Sequence, residues 1–93
     1  MDIQHVGGKN MGDVLLYALS TCGWCRKTRE LIESLGAEYR YVYVDLLEKE
    51  DMDEAVELIK ELNPALSFPT AVINGVVIVG FREEEIRKAL KGD

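Results

Sequence analysis

The sequence predicts an α/β fold in the order βαβαββα: a mixed four-stranded sheet with helices on both faces. Three observations carry the prediction. Apolar runs of strand length alternate with segments of helical periodicity. The dipeptide Asn74-Gly75 separates two β-branched runs, the preferred pattern of a two-residue hairpin turn. Helix-length connections join parallel strands whereas tight turns join antiparallel ones, so both kinds of pairing are expected in one sheet. Ninety-three residues, 47% of them hydrophobic, supply a single modest core and one domain.

Met1 to Gly12 contains Gly7-Gly8 and no apolar periodicity, and reads as a flexible N-terminal extension, residues 1–12, with at most a short edge strand. The domain proper, residues 13–93, opens with the apolar run Val14 to Leu19, which suits a central strand covered on both faces. From Gly23, the spacing of Leu31, Ile32 and Leu35 predicts a helix ending at Gly36, which supplies a left-handed stop. Tyr39, Tyr41 and Tyr43 alternate with Arg40, Val42 and Val44 in a second strand, where the tyrosines are expected to pack rather than to recognise a ligand. Acidic residues from Glu48 to Glu54 open an amphipathic helix carrying Met52, Ala55, Val56, Ile59 and Leu62, stopped by Asn63-Pro64. Thr70 to Ile73 and Val76 to Val79 form the hairpin. Glu83 to Glu85, then Arg87, Lys88 and Lys91, follow the charge order that complements the dipole of a last helix.

The chain's only two cysteines, Cys22 and Cys25, bracket Gly23-Trp24 at the junction of the first strand and the first helix. Residues at i and i+3 on a helix lie roughly 5–6 Å apart, close enough for a disulfide to form and break with little backbone movement. The first helical turn points unpaired N–H groups and the positive dipole end at Cys22, which favours an ionised, nucleophilic sulfur there. A structural disulfide closing so small a loop would constrain the unfolded chain very little. A structural zinc site needs four ligands, and His5, the only histidine, lies in the extension, so no metal is expected within one chain.

The net charge of −6 argues against nucleic acid or an anionic membrane as partner, and no apolar stretch approaches the length of a membrane span. The first dozen residues lack the hydrophobic run of a secretion signal, so a cytoplasmic protein is expected. In that reducing compartment a C-x-x-C pair is more often catalytic or metal-binding than structural.

The element order, the C-x-x-C closing the first strand, Tyr17, Trp24, Ser67-Phe68-Pro69-Thr70 and Gly80-Phe81 together resemble the thioredoxin fold, and within it the glutaredoxin-like small redoxins, over nearly all of Asp13 to Lys91. The resemblance implies a thiol–disulfide oxidoreductase with Cys22 as nucleophile and Cys25 as resolving thiol. It also implies a cis bond at Phe68-Pro69 and a substrate groove formed by Trp24, Phe68, Pro69, Thr70, Gly80 and Phe81. No tightly bound cofactor is implied, and a monomer is expected. The partners implied are a disulfide-containing protein and an upstream reductase of the thioredoxin-reductase type, with glutathione as the alternative co-substrate. An iron–sulfur cluster pooled between two copies is a further alternative.

Glutathione-linked members usually carry a basic residue three positions before the first cysteine, and Gly-Gly with a polar, acidic pair before the last helix. Here those places read Leu19 and Val79-Gly80-Phe81-Arg82. Gly80-Phe81-Arg82 is similar instead to the redoxins that serve ribonucleotide reductase, although those too usually have a basic residue at the place of Leu19. Larger thioredoxins carry a carboxylate where this chain has Leu16.

Overall fold

The computed structural model describes residues 1–90. Its elements are β1 (Gln4–Val6), β2 (Val14–Ala18), α1 (Gly23–Ser34), β3 (Tyr39–Tyr43), a 3₁₀ turn (Val44–Leu46), α2 (Lys49–Leu62), β4 (Thr70–Ile73), β5 (Val76–Val79) and α3 (Glu83–Leu90). The strands form one sheet in the order β1-β3-β2-β4-β5. Lys91, assigned to the last helix by its charge, lies outside the described residues.

The uninterrupted apolar run of β2 is explained by its central position, because alternate side chains of a strand face opposite sides of the sheet. Leu16 and Ala18 pack with Leu31 and Ile32 of α1 and with Ile86 and Leu90 of α3. Tyr17 packs on the other face, with Ala55 and Ile59 of α2. Helices therefore cover both faces. Leu16, Ile32, Ile59 and Ile86 are fully excluded from water, each burial contributing about 1.5–3 kcal/mol against exposure.

β2 and β3 are parallel across the α1 crossover, whereas β4 runs antiparallel to both β2 and β5. The rule that a helix joins parallel strands thus holds for α1 and fails for α2. The register sets Thr70 opposite Tyr17, which starts β4 beside the end of β2 and brings Pro69 next to the loop that holds Cys22. At the hairpin, Asn74 (φ 51°) and Gly75 (φ 83°) both take the left-handed conformation that a turn of this type requires.

The sheet has five strands, not the expected four. Gln4–Val6 pair antiparallel with Tyr39–Tyr41, Lys9 bridges to Ala37, and His5 Nε2 lies 2.6 Å from Glu38 Oε2. Three polar-to-apolar residues carry no periodic signal. What makes them a strand is the unpaired edge of β3, whose N–H and C=O groups need partners. Gly8 permits the approach, since a Cβ there would stand 2.8 Å from the Gly36 carbonyl oxygen.

Candidate functional site

Cys22 is the N-cap of α1, in extended conformation, and its Sγ accepts a hydrogen bond from the Cys25 N–H at 3.2 Å. A cap is normally an oxygen; here a sulfur accepts the orphan donor of the first turn. Cys22 is partly exposed, whereas Cys25 is 1% exposed and joins the core under α1. Burial pushes the Cys25 thiol up to about 12, helped by its contact with Cys22. The pair is thus asymmetric: an accessible sulfur at the helix tip, and a sheltered one that keeps its proton.

The loop entering α1 is held from the 3₁₀ turn that follows β3. Asp45 accepts from the Ser20 N–H at 2.9 Å and from Ser20 Oγ at 2.5 Å, and the hydroxyl bond holds the Asp45 carboxyl below its usual range. Cys22 N–H closes the turn onto the Leu19 carbonyl at 3.2 Å. Thr28, one turn on, is buried and donates back to the Trp24 carbonyl.

Trp24, Phe68, Pro69, Gly80 and Phe81 line one cavity of about 270 Å³ beside the cysteines. The Trp24 and Phe81 rings stack with centroids 5.8 Å apart, although Trp24 remains 59% exposed. The Phe68-Pro69 bond is cis, and the Gly80 N–H donates to the Pro69 carbonyl at 2.8 Å. Thr70 is not in this cavity. It is wholly buried, donating to the Ser67 carbonyl (2.8 Å) and accepting from Asn63 Nδ2 (3.1 Å), so it supports the loop from behind. The same Asn63 amide donates to the carbonyl and hydroxyl of Ser67. Among the described residues, no three His, Cys, Asp or Glu side chains come together as a metal-binding group, and no helix is long and apolar enough to cross a membrane.

Three features escaped sequence reasoning. Arg29 donates to Tyr39 Oη (2.9 Å), Tyr43 Oη (2.6 Å) and Glu33 Oε2 (3.2 Å), and lies over the Tyr41 ring. Tyr39 Oη also donates to Glu33. The three tyrosines therefore pack, as expected, but around a cation. The i,i+4 spacing of Arg29 and Glu33, together with the one-sided alternation of the tyrosines, was the available signal. Asp45 in the 3₁₀ turn and Asn63 at a helix end gave none beyond their turn-forming types.

A family model described as Glutaredoxin matches residues 14–78. A solved glutaredoxin of Methanosarcina mazei is 50% identical, with a TM-score of 0.87 over 95% of this chain and 86% of that one. The methanoredoxin of Methanosarcina acetivorans is 46% identical, with a TM-score of 0.85 over 89% and 88% of the two chains. An uncharacterised glutaredoxin-like protein of the rubredoxin operon of Clostridium pasteurianum is 33% identical over 78 residues, 84% of this chain and 97% of that protein.

Proposed function

The chain belongs to the glutaredoxin family, and from that premise we propose that it reduces protein disulfides through the Cys22–Cys25 dithiol. Thiol redox chemistry goes with the family; the direction, the substrate and the residue roles are our reading. Cys22 thiolate attacks one sulfur of the target disulfide, the S–S bond breaks, and the expelled sulfur takes a proton from solvent. Cys25 then loses its proton and attacks Cys22 Sγ, releasing the second target thiol. Two electrons pass to the target and a Cys22–Cys25 disulfide remains, to be reduced by a separate reductase.

The observation that carries this reading is the asymmetric pair: an accessible Cys22 Sγ capping α1, and Cys25 buried directly behind it. Trp24, Phe68 and Phe81 offer an apolar wall to a substrate chain, and the main chain of Phe68 could pair with an extended segment, proline adding no N–H beside the sulfurs. A protein target is favoured over glutathione because Leu19 and Phe81-Arg82 stand where charged and polar groups would grip the tripeptide's carboxylates. A reducing compartment, the cytoplasm, fits a cycle that returns to the dithiol.

Trapping tests it. Cys25→Ser protein, incubated with a disulfide-bearing protein, should accumulate a mixed disulfide at Cys22 that dithiothreitol releases. Turnover should follow from thioredoxin reductase and not from glutathione plus glutathione reductase. Turnover with glutathione alone would transfer the reading to a glutathione-dependent enzyme, and no trapped adduct would reject Cys22 as nucleophile.

A further inference from the structure

Cys22 borders a second cavity, which the proposed reaction leaves unused. It measures about 400 Å³, lies on the α1–β3 side, and is walled by Cys22, Arg26, Arg29, Glu30, Glu33 and Tyr43. That volume falls in the range of small-molecule sites. Arg29 and Glu33 are already engaged with each other and with tyrosines. Arg26 and Glu30 are not: among the described residues neither makes an ion pair, although they stand one helical turn apart. Tyr43 accepts from Arg29, which leaves its own hydroxyl proton for an acceptor in the cavity. A cation, a neutral donor and an anion therefore meet on one wall, beside a nucleophilic sulfur.

We propose that this cavity seats the amino-acid head group of a small cystine-type disulfide, with its carboxylate on Arg26 and Tyr43 and its ammonium on Glu30, while its sulfur meets Cys22. The inference rests on Cys22 being the nucleophile. An anion alone would face Glu30 and a cation alone would face Arg26; only a zwitterion satisfies both. The spacing also fits. Arg26 and Glu30 lie four and eight residues beyond Cys22, roughly 6 and 12 Å along the axis, and helical side chains lean back toward the N-terminus. The aromatic cavity on the other side holds no charged residue, so the two cavities sort apolar polypeptide from small zwitterion.

The chemistry balances without another reactant. Cys22 thiolate displaces one cysteine from cystine, whose sulfur takes a proton from solvent, and Cys25 displaces the second, which takes the proton that Cys25 gives up. The protein dithiol supplies both electrons and becomes the disulfide.

The test is single-turnover oxidation of the pre-reduced full chain, followed by fluorescence of Trp24, its only tryptophan, with cystine, glutathione disulfide and bis(2-hydroxyethyl) disulfide. Each variant's rate is divided by the wild-type rate for the same disulfide, which removes intrinsic reactivity and any change at Cys22 common to all three. Arg26→Gln and Tyr43→Phe should lower this ratio about tenfold further for cystine than for the hydroxyethyl compound, the effect of one charge-assisted contact. Glu30→Gln should do the same through the ammonium. An extra loss for cystine alone assigns the cavity to a free amino-acid disulfide; an extra loss for glutathione disulfide as well shows that it also takes a head group on a longer arm. Equal ratios for all three disulfides, or an extra loss for glutathione disulfide alone, would overturn the proposal. If no disulfide oxidises the wild-type dithiol, the nucleophilic role of Cys22 falls with it.

Discussion

The guanidinium of Arg29 lies 3.8 Å from the ring centre of Tyr41, while its nitrogens reach the hydroxyls of Tyr39 and Tyr43 on either side. One side chain thus joins the middle of α1 to three alternate residues of β3. The planar fork matters as much as the charge, since an ammonium cannot serve the two hydroxyls and Glu33 while stacking on a ring. Arg29→Ala should cost about 3 kcal/mol in urea unfolding, and Arg29→Lys should recover less than half of that. A lysine variant as stable as wild type would show that the charge alone suffices.

Asn63 and Thr70 position the Phe68 backbone. Asn63 is buried, 6% exposed, and its amide bonds to both ends of the Ser67–Thr70 segment. Asn63→Ala strips these acceptors of their donor and should destabilise by about 1–3 kcal/mol. It should also slow reduction of a protein disulfide more than oxidation by a small disulfide, because in the proposed reaction only a protein substrate pairs with the Phe68 main chain. Comparing the two rates checks this; equal slowing would separate that backbone from substrate docking.

The buried thiol predicts an alkaline weakness of the reduced protein. Cys25 is raised from 9.0 to about 12, so the unfolded chain gives up this proton first and the folded chain holds it. Its contribution is complete below about pH 9 and is lost as pH climbs toward 12. Urea midpoints of reduced wild type should fall more steeply from pH 8 to 10 than those of Cys25→Ser. Parallel slopes would contradict the assignment.

Asp45 works in the opposite direction. Its carboxyl is held low by Ser20, so what it contributes is present above the ordinary carboxylate value near 4 and disappears as pH falls below it. The pair is exposed, which limits the effect to about 1 kcal/mol or less. Asp45→Ala should melt below wild type at pH 7 and together with it at about pH 2.5, and a gap that persists in acid would point to lost packing instead.

Much of this molecule was legible because its signals are local. Asn74-Gly75 specifies a turn by backbone sterics alone, Gly36 (φ 76°) ends α1 for the same reason, and the run from Val14 says that both faces of β2 are covered. Cys22 and Cys25 were legible as a thiol pair at a strand-to-helix junction, which is where the fold places them. What stayed hidden depends on partners distant in sequence. Gln4–Val6 become a strand only against Tyr39–Tyr41, Ser20 needs Asp45, and Thr70 was placed among groove residues because nothing in its neighbourhood says that Asn63 draws it inward. The polarity of β4 was likewise illegible, since it is fixed by pairing with β2 and not by the helix preceding it.

The strand Gln4–Val6 does for the sheet what a hem does for cloth. With it in place Tyr39–Tyr41 have a strand partner on the side away from β2; a shortened chain beginning after Gly8 would leave that aromatic border open to strand exchange with another molecule. The sheet would keep two margins, but one of them would change from the three residues of β1 to the five of β3, so removal of eight residues remote from the sulfurs would be felt first as self-association, with thiol reactivity untouched.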